Sequence, residues 1–190
     1  SCLITSPPYL NRYDYTRTYA LELVMLDMDN EKIKELRQQM VSCTVENRDK
    51  EDLFKHHNKN LYANTVKTFG EQETLRAILT YLSDLKTKRK LNNSGILRMI
   101  KNYFFEMCLI INQSSRLIKK GGYFVMVNDN VRYAGVDIPV DLILADFGER
   151  CGFEIKKIWV LPTSKGNSSQ QMGRHGRSKL RKCVYVWRKL

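Results

Sequence analysis

The stretch that most limits the fold is residues 94–129, "SGILRMIKNYFFEMCLIINQSSRLIKKGGYFVMVND". Ser94 suits a helix cap, and Ile96, Ile100, Tyr103, Met107, Ile110 and Ile111 recur every three or four residues, the spacing of one helical face. Lys119 and Lys120 fall where the helix dipole favours cations, and Gly121 suits a left-handed stop. Residues 123–127 then form a short apolar run that reads as a buried strand. Helix, glycine turn and strand together make an α/β unit.

The flanks extend that unit. After a turn at "RYAGVDIP", Pro139 fits a first helical turn, Val140, Leu142, Ile143, Leu144 and Phe147 supply a core face, and Gly152 stops the helix. Residues 153–161 and 182–187 read as two strands, and the segment between them, "PTSKGNSSQQMGRHGRSKLR", is too long for a tight hairpin turn. Upstream, residues 18–28 suit an apolar helix and 30–39 a more exposed one. Residues 45–64 are polar and read as loop or a mobile insertion, and 71–87 return to helical spacing with Leu75, Ile78, Leu79, Leu82 and Leu85 on one stripe. The expectation is one domain over 1–190, an α/β fold with a helical insertion at about 18–93. It forms one side of an open sheet finished by an antiparallel hairpin.

Composition narrows the class. A hydrophobic fraction of 43% fits a folded chain, and no apolar run approaches the ~18 residues of a membrane span. The five cysteines are widely spaced with no CxxC pair, which reads as buried thiols in a reducing cytoplasm rather than as a disulfide or zinc framework. His56 and His57 lack metal-ligand spacing, so no metal is expected. A formal charge of +12 points to a polyanionic partner, nucleic acid ahead of a membrane surface.

The first strand ends abruptly at "ITSPPY". Pro7 and Pro8 lack backbone N–H groups and fix φ, so the chain leaves its strand at Ser6 and presents Tyr9 at the tip of a stiff turn. On these letters alone a proline turn with a tyrosine packed on it is an adequate account. The segments "SPPYLNRYDYTRTYALEL", "RLIKKGGYFVMV", "RYAGVDIPVDLILADFGERCGF" and "GNSSQQMGRHGRSKLRKCVYVWRK" occur in this order across most of the chain. With "TSPPY" they resemble the catalytic region of the amino-group DNA methyltransferases.

The resemblance implies S-adenosyl-L-methionine as cofactor, a Rossmann-like sheet, and methyl transfer to N4 of cytosine or N6 of adenine in DNA. It also implies a place in a restriction-modification or related defence system. Serine at the head of the motif leans toward cytosine, while the choice stays open. The exocyclic amine is a poor nucleophile because its lone pair is delocalised into the ring. The implied roles follow: Ser6 Oγ and the Pro7 carbonyl accept its N–H groups, Pro8 stiffens the turn, and Tyr9 stacks on a base flipped from the duplex. Asn11, Arg12, Asp14, Tyr15 and Arg17 line the pocket or touch phosphate, or are simply a solvated loop start. Lys165, Arg174, His175, Arg177, Lys179, Arg181 and Lys182 form a basic loop that suits a phosphate clamp, with a merely solvated loop as the alternative.

One expected part is missing. The family holds its cofactor on a glycine-rich loop after a strand, with an acidic residue after the next strand. Neither pattern occurs in residues 1–190. The chain therefore resembles the C-terminal catalytic half of such an enzyme. The cofactor half is expected upstream in a longer protein or on a separate subunit. A degenerate, non-catalytic nucleic-acid-binding subunit and an RNA or protein N-methyltransferase are the alternatives.

Overall fold

The computed structural model describes residues 1–162 and 180–190. Among these, strand β1 (Cys2–Thr5) leads into helices α1 (Tyr15–Thr18), α2 (Ala20–Met25), α3 (Asn30–Gln39), α4 (Glu51–His57), α5 (Lys59–Gly70) and α6 (Glu73–Thr87). The long α7 (Ile96–Leu117) follows, then β2 (Tyr123–Asp129), the short β3 (Val131–Tyr133) and β4 (Val136–Ile138), α8 (Val140–Arg150), β5 (Phe153–Leu161) and β6 (Lys182–Lys189).

The main sheet has the order β1-β2-β6-β5, with β1 and β2 parallel and the other neighbours antiparallel. Alternation along each strand splits it into two faces. Phe124, Met126, Tyr185 and Trp187 are fully buried on one face. They join Ile100, Tyr103, Phe104, Met107 and Ile111 of α7 and Ile143, Leu144 and Phe147 of α8 in a single core. The other face carries Ile4, Val125, Val127, Val184, Val186 and Trp159, all half-buried or exposed. Residues 123–127 are thus buried on one side only, where the apolar run suggests burial on both.

Gly148 is needed at the contact between α8 and the sheet. A methyl group there would overlap the indole of Trp187, so only glycine lets the helix pack this closely. The core face of α8 is otherwise as its sequence suggests, except that Leu142 is exposed.

Several elements depart from the sequence reading. The polar stretch 45–64 is largely helical, forming α4 and the first half of α5. It is held by aromatic and hydroxyl packing rather than by an aliphatic stripe. Tyr62 and Phe69 contact Phe105 of α7, with centroids 5.8 and 5.5 Å apart. Thr65, fully buried, accepts a hydrogen bond from Asn112 at 3.2 Å. The preceding loop is clamped by Glu106, a buried carboxylate that pairs with Lys50 and accepts from the Ser42 backbone N–H at 2.9 Å.

Residues 131–138 form a β hairpin rather than a plain turn. Ala134 and Gly135 both have positive φ, 50° and 83°, the pattern that suits a two-residue hairpin loop. Gly95, not Ser94, caps α7, and the Asn93 side chain accepts the Gly95 N–H. The apolar residues of 18–28 reach no fully buried position, and Leu21, Met25 and Leu26 are more than two-thirds exposed.

Candidate active site at the end of the first strand

Ligand sites of open α/β sheets lie at the carboxyl ends of parallel strands. Here those ends belong to β1 and β2, which run side by side with Thr5 opposite Met126. The two prolines take the chain out of β1 just beyond that point. Ser6 is exposed, while Pro7, Pro8 and Tyr9 are half-buried. The Ser6 hydroxyl and the Tyr9 hydroxyl lie 3.0 Å apart and share a hydrogen bond. The turn is thereby closed on itself.

Its far side is anchored in the core. Leu10 is fully buried, and its carbonyl accepts a 2.7 Å hydrogen bond from the hydroxyl of Tyr133 on β3. Burial pushes the Tyr133 hydroxyl well above its ordinary pKa, so it remains a donor. Arg12 then takes a left-handed conformation (φ 62°), and the Asn11 side chain accepts the Tyr13 N–H at 3.1 Å. Asp14 caps α1 by accepting from Thr16 N and Oγ1, and it pairs with Arg37 at 3.0 Å and Arg17 at 3.2 Å. Burial raises its carboxyl, but the Thr16 hydrogen bonds and the Arg37 charge outweigh that and hold it below the ordinary value.

Antiparallel β6 brings a third contributor, since its first residue Lys182 sits opposite Asp129, the last of β2. The Lys182 ammonium lies over the Tyr9 ring, 5.4 Å from its centroid, and 4.0 Å from Asp129 Oδ1. Burial pushes the Asp129 carboxyl up and the Lys182 charge opposes the rise. Asn128 orients this corner by accepting the Asp129 N–H at 2.9 Å and donating to the buried Tyr103 hydroxyl at 2.7 Å. None of Tyr133, Asn128, Asp129 and Tyr103 was singled out as a site residue in the sequence; each reaches the turn through strand register or a core contact.

The remaining sequence-predicted residues fall into three groups. Asn11 and Arg12 line a shallow polar cleft beside the turn, together with Tyr13, Asp14, Arg17 and Glu46. Tyr15 lies on α1, edge-on to Tyr13 and stacked with Tyr19. Arg181 is committed to the buried carboxylate of Asp141, 2.7 Å away. Lys165, Arg174, His175, Arg177 and Lys179 lie outside the described residues. Among the described residues no cluster of three His, Cys, Asp or Glu side chains suits a metal ion, and no helix is long and apolar enough to cross a membrane.

Comparison with known proteins places this turn in context. The chain is 57% identical over 188 residues to the Type II methyltransferase M.AvaI of Nostoc sp. (strain PCC 7120 / SAG 25.82 / UTEX 2576), and equally to that of Anabaena variabilis. It is 47% identical over 192 residues to the Type II methyltransferase M.BsoBI of Geobacillus stearothermophilus. The chain is homologous to part of the Type II methyltransferases. These matches take in 98–99% of the chain but only 38% of each relative, so this methyltransferase homologue spans well under half their length. No family model and no solved structure matches it.

Proposed function

We propose that the chain is the catalytic part of an S-adenosyl-L-methionine-dependent methyltransferase acting on the exocyclic amine of a base flipped out of DNA, within a restriction-modification system. The observation that carries this reading is the Ser6–Tyr9 turn at the carboxyl end of β1, closed by the Ser6–Tyr9 hydrogen bond and anchored through Leu10.

A serine hydroxyl has one donor hydrogen and two acceptor lone pairs. Either hydroxyl can donate across the Ser6–Tyr9 contact; where Ser6 donates, both its lone pairs are left to accept from the amine, and the Pro7 carbonyl accepts the second N–H. Holding both hydrogens favours a pyramidal nitrogen whose lone pair is available for attack, and the gain is one of orientation. The Tyr9 ring supplies the stacking surface that offsets the loss of neighbours in the duplex. The N4 amine of cytosine is favoured over N6 of adenine because serine heads the motif.

The cofactor supplies an electrophilic methyl on a sulfonium. The residues present do not fit its binding, since the sequence has neither the glycine-rich pattern after a strand nor the acidic residue after the next one. That site is proposed to lie in sequence beyond these residues, upstream in the same protein or on a separate subunit. The greater length of the relatives supports this. So does the outer edge of β1, where Ile4 is 72% exposed. DNA is the proposed partner of the cationic chain, with Asn11, Arg12, Tyr15, Lys165, Arg174, His175, Arg177 and Lys179 as candidate contacts, in a cytoplasmic enzyme. The missing loop favours a second reading, a nucleic-acid-binding subunit without catalysis, whereas the intact Ser6–Tyr9 motif favours the enzyme.

The test is methyl transfer to unmodified DNA by the complete protein, followed by digestion and mass detection of the methylated base. N4-methylcytosine is expected, and Ser6→Ala and Tyr9→Ala should each reduce its formation. Rates unchanged by both substitutions would remove the assigned roles.

A further inference from the structure

The Tyr9 ring has two faces, and one of them carries a cation. Lys182 covers one, with its ammonium 5.4 Å from the centroid. The side chain is only 38% exposed, and its charge is already opposed by the Asp129 carboxylate 4.0 Å away. The backbone at Asp129 is held from the core, its N–H donating to Asn128, which in turn donates to the Tyr103 hydroxyl. Asp129 Oδ1 is buried without a hydrogen-bond partner among the described residues, so the ion pair with Lys182 is what compensates it.

We infer that Lys182, tethered by Asp129, is a positioning residue that closes one face of the Tyr9 ring and directs a flipped nucleobase onto the other. The inference rests on the proposed role of Tyr9. It reassigns Lys182 from the phosphate clamp suggested by its position in the basic loop. A cation over the ring and a hydrogen bond at its hydroxyl together fix the ring plane, so the base meets a preorganised surface. A lysine already spent on a carboxylate and a ring is poorly disposed to neutralise phosphate.

The two roles differ in kinetics. A positioning residue acts in kcat, whereas a phosphate contact acts in KM for DNA and in its salt dependence. The complete methyltransferase is compared with its Lys182→Met, Lys182→Arg, Asp129→Asn and Tyr9→Ala variants at two salt concentrations. Lys182→Met is expected to lower kcat by about tenfold with KM within about twofold and the salt slope unchanged, and Lys182→Arg to restore most of kcat. Asp129→Asn, which preserves shape, should lower kcat in the same direction, and this variant decides the matter if Lys182→Met does not fold. An unchanged kcat overturns the inference, and a raised KM with a salt slope smaller by about one then assigns Lys182 to phosphate. If Tyr9→Ala also leaves kcat unchanged, the reading of the motif itself has failed, not merely the role of Lys182.

Discussion

Tyr9 is held at its hydroxyl by Ser6, at one face by Lys182, and at its base by the stiff proline pair. Tyr9→Phe separates the first of these from stacking, because it removes the hydroxyl and keeps the ring. Base–aromatic stacking contributes about 1–3 kcal/mol, so Tyr9→Ala should lower kcat/KM for methyl transfer roughly 5- to 150-fold. Tyr9→Phe should stay within about tenfold of the parent, the scale of one lost hydrogen bond. Equal losses in both variants would show that the hydroxyl, not the ring, is what matters. Asp14 admits a test by pH. Its folded pKa is depressed, so its contribution to stability is complete above the unfolded value of about 3.9 and is lost as the pH falls through the lower folded value. Asp14→Asn should therefore unfold at lower urea than the parent at pH 7, with the difference shrinking below about pH 4; a constant difference would exclude the ion pairs with Arg37 and Arg17 as its source. The motif was legible in the sequence because its residues are adjacent. Asp129 and Lys182 were not seen as partners of Tyr9 because only strand register joins them, and the pairing of Arg181 with Asp141 was hidden because forty residues of chain separate them.

At the level of elements, strong periodicity was a reliable guide and its absence was not. The apolar spacing of α7, the glycine turn and β2 are found where the sequence places them. α4 and α5 were missed because their burial runs through Tyr62, Thr65 and Phe69 with one buried carboxylate beneath, none of which makes an aliphatic stripe. The opposite error occurs at α2, an apolar segment in which Leu21, Val24 and Met25 stay exposed. α8 provides the sharpest element-scale test. Gly148→Ala gains about 1 kcal/mol of helix propensity. The added methyl overlaps Trp187, however, and overpacking of this kind costs about 1–3 kcal/mol. The penalty should win, moving the urea midpoint down with an unchanged slope, whereas a raised midpoint would mean that helix and sheet can separate freely.

The whole molecule has one well-covered sheet face and one exposed parallel edge. β1 pairs only with β2 in the described sheet, and Leu3 and Ile4 on that strand are exposed, as are Leu21 and Met25 of α2 and Leu26 just after it. Unpaired strand edges and exposed apolar side chains are liabilities that stable proteins cover. Since the relatives are much longer than this chain, further sequence is the natural cover. In the complete protein the outward-facing amides of β1 should then exchange with solvent slowly, as paired strands do. Ile4→Lys supplies the energetic counterpart. A position that stays in water tolerates such a change within about 0.5 kcal/mol. An apolar site at a buried interface loses several times that when a charge is introduced without a partner. Ile4→Lys in the complete protein should accordingly lower its denaturation midpoint and its methyl transfer together. Fast exchange at β1 with a surface-like effect of Ile4→Lys would instead leave this edge facing solvent, and the proposed cofactor-binding part would then have to meet the Ser6–Tyr9 turn from another side.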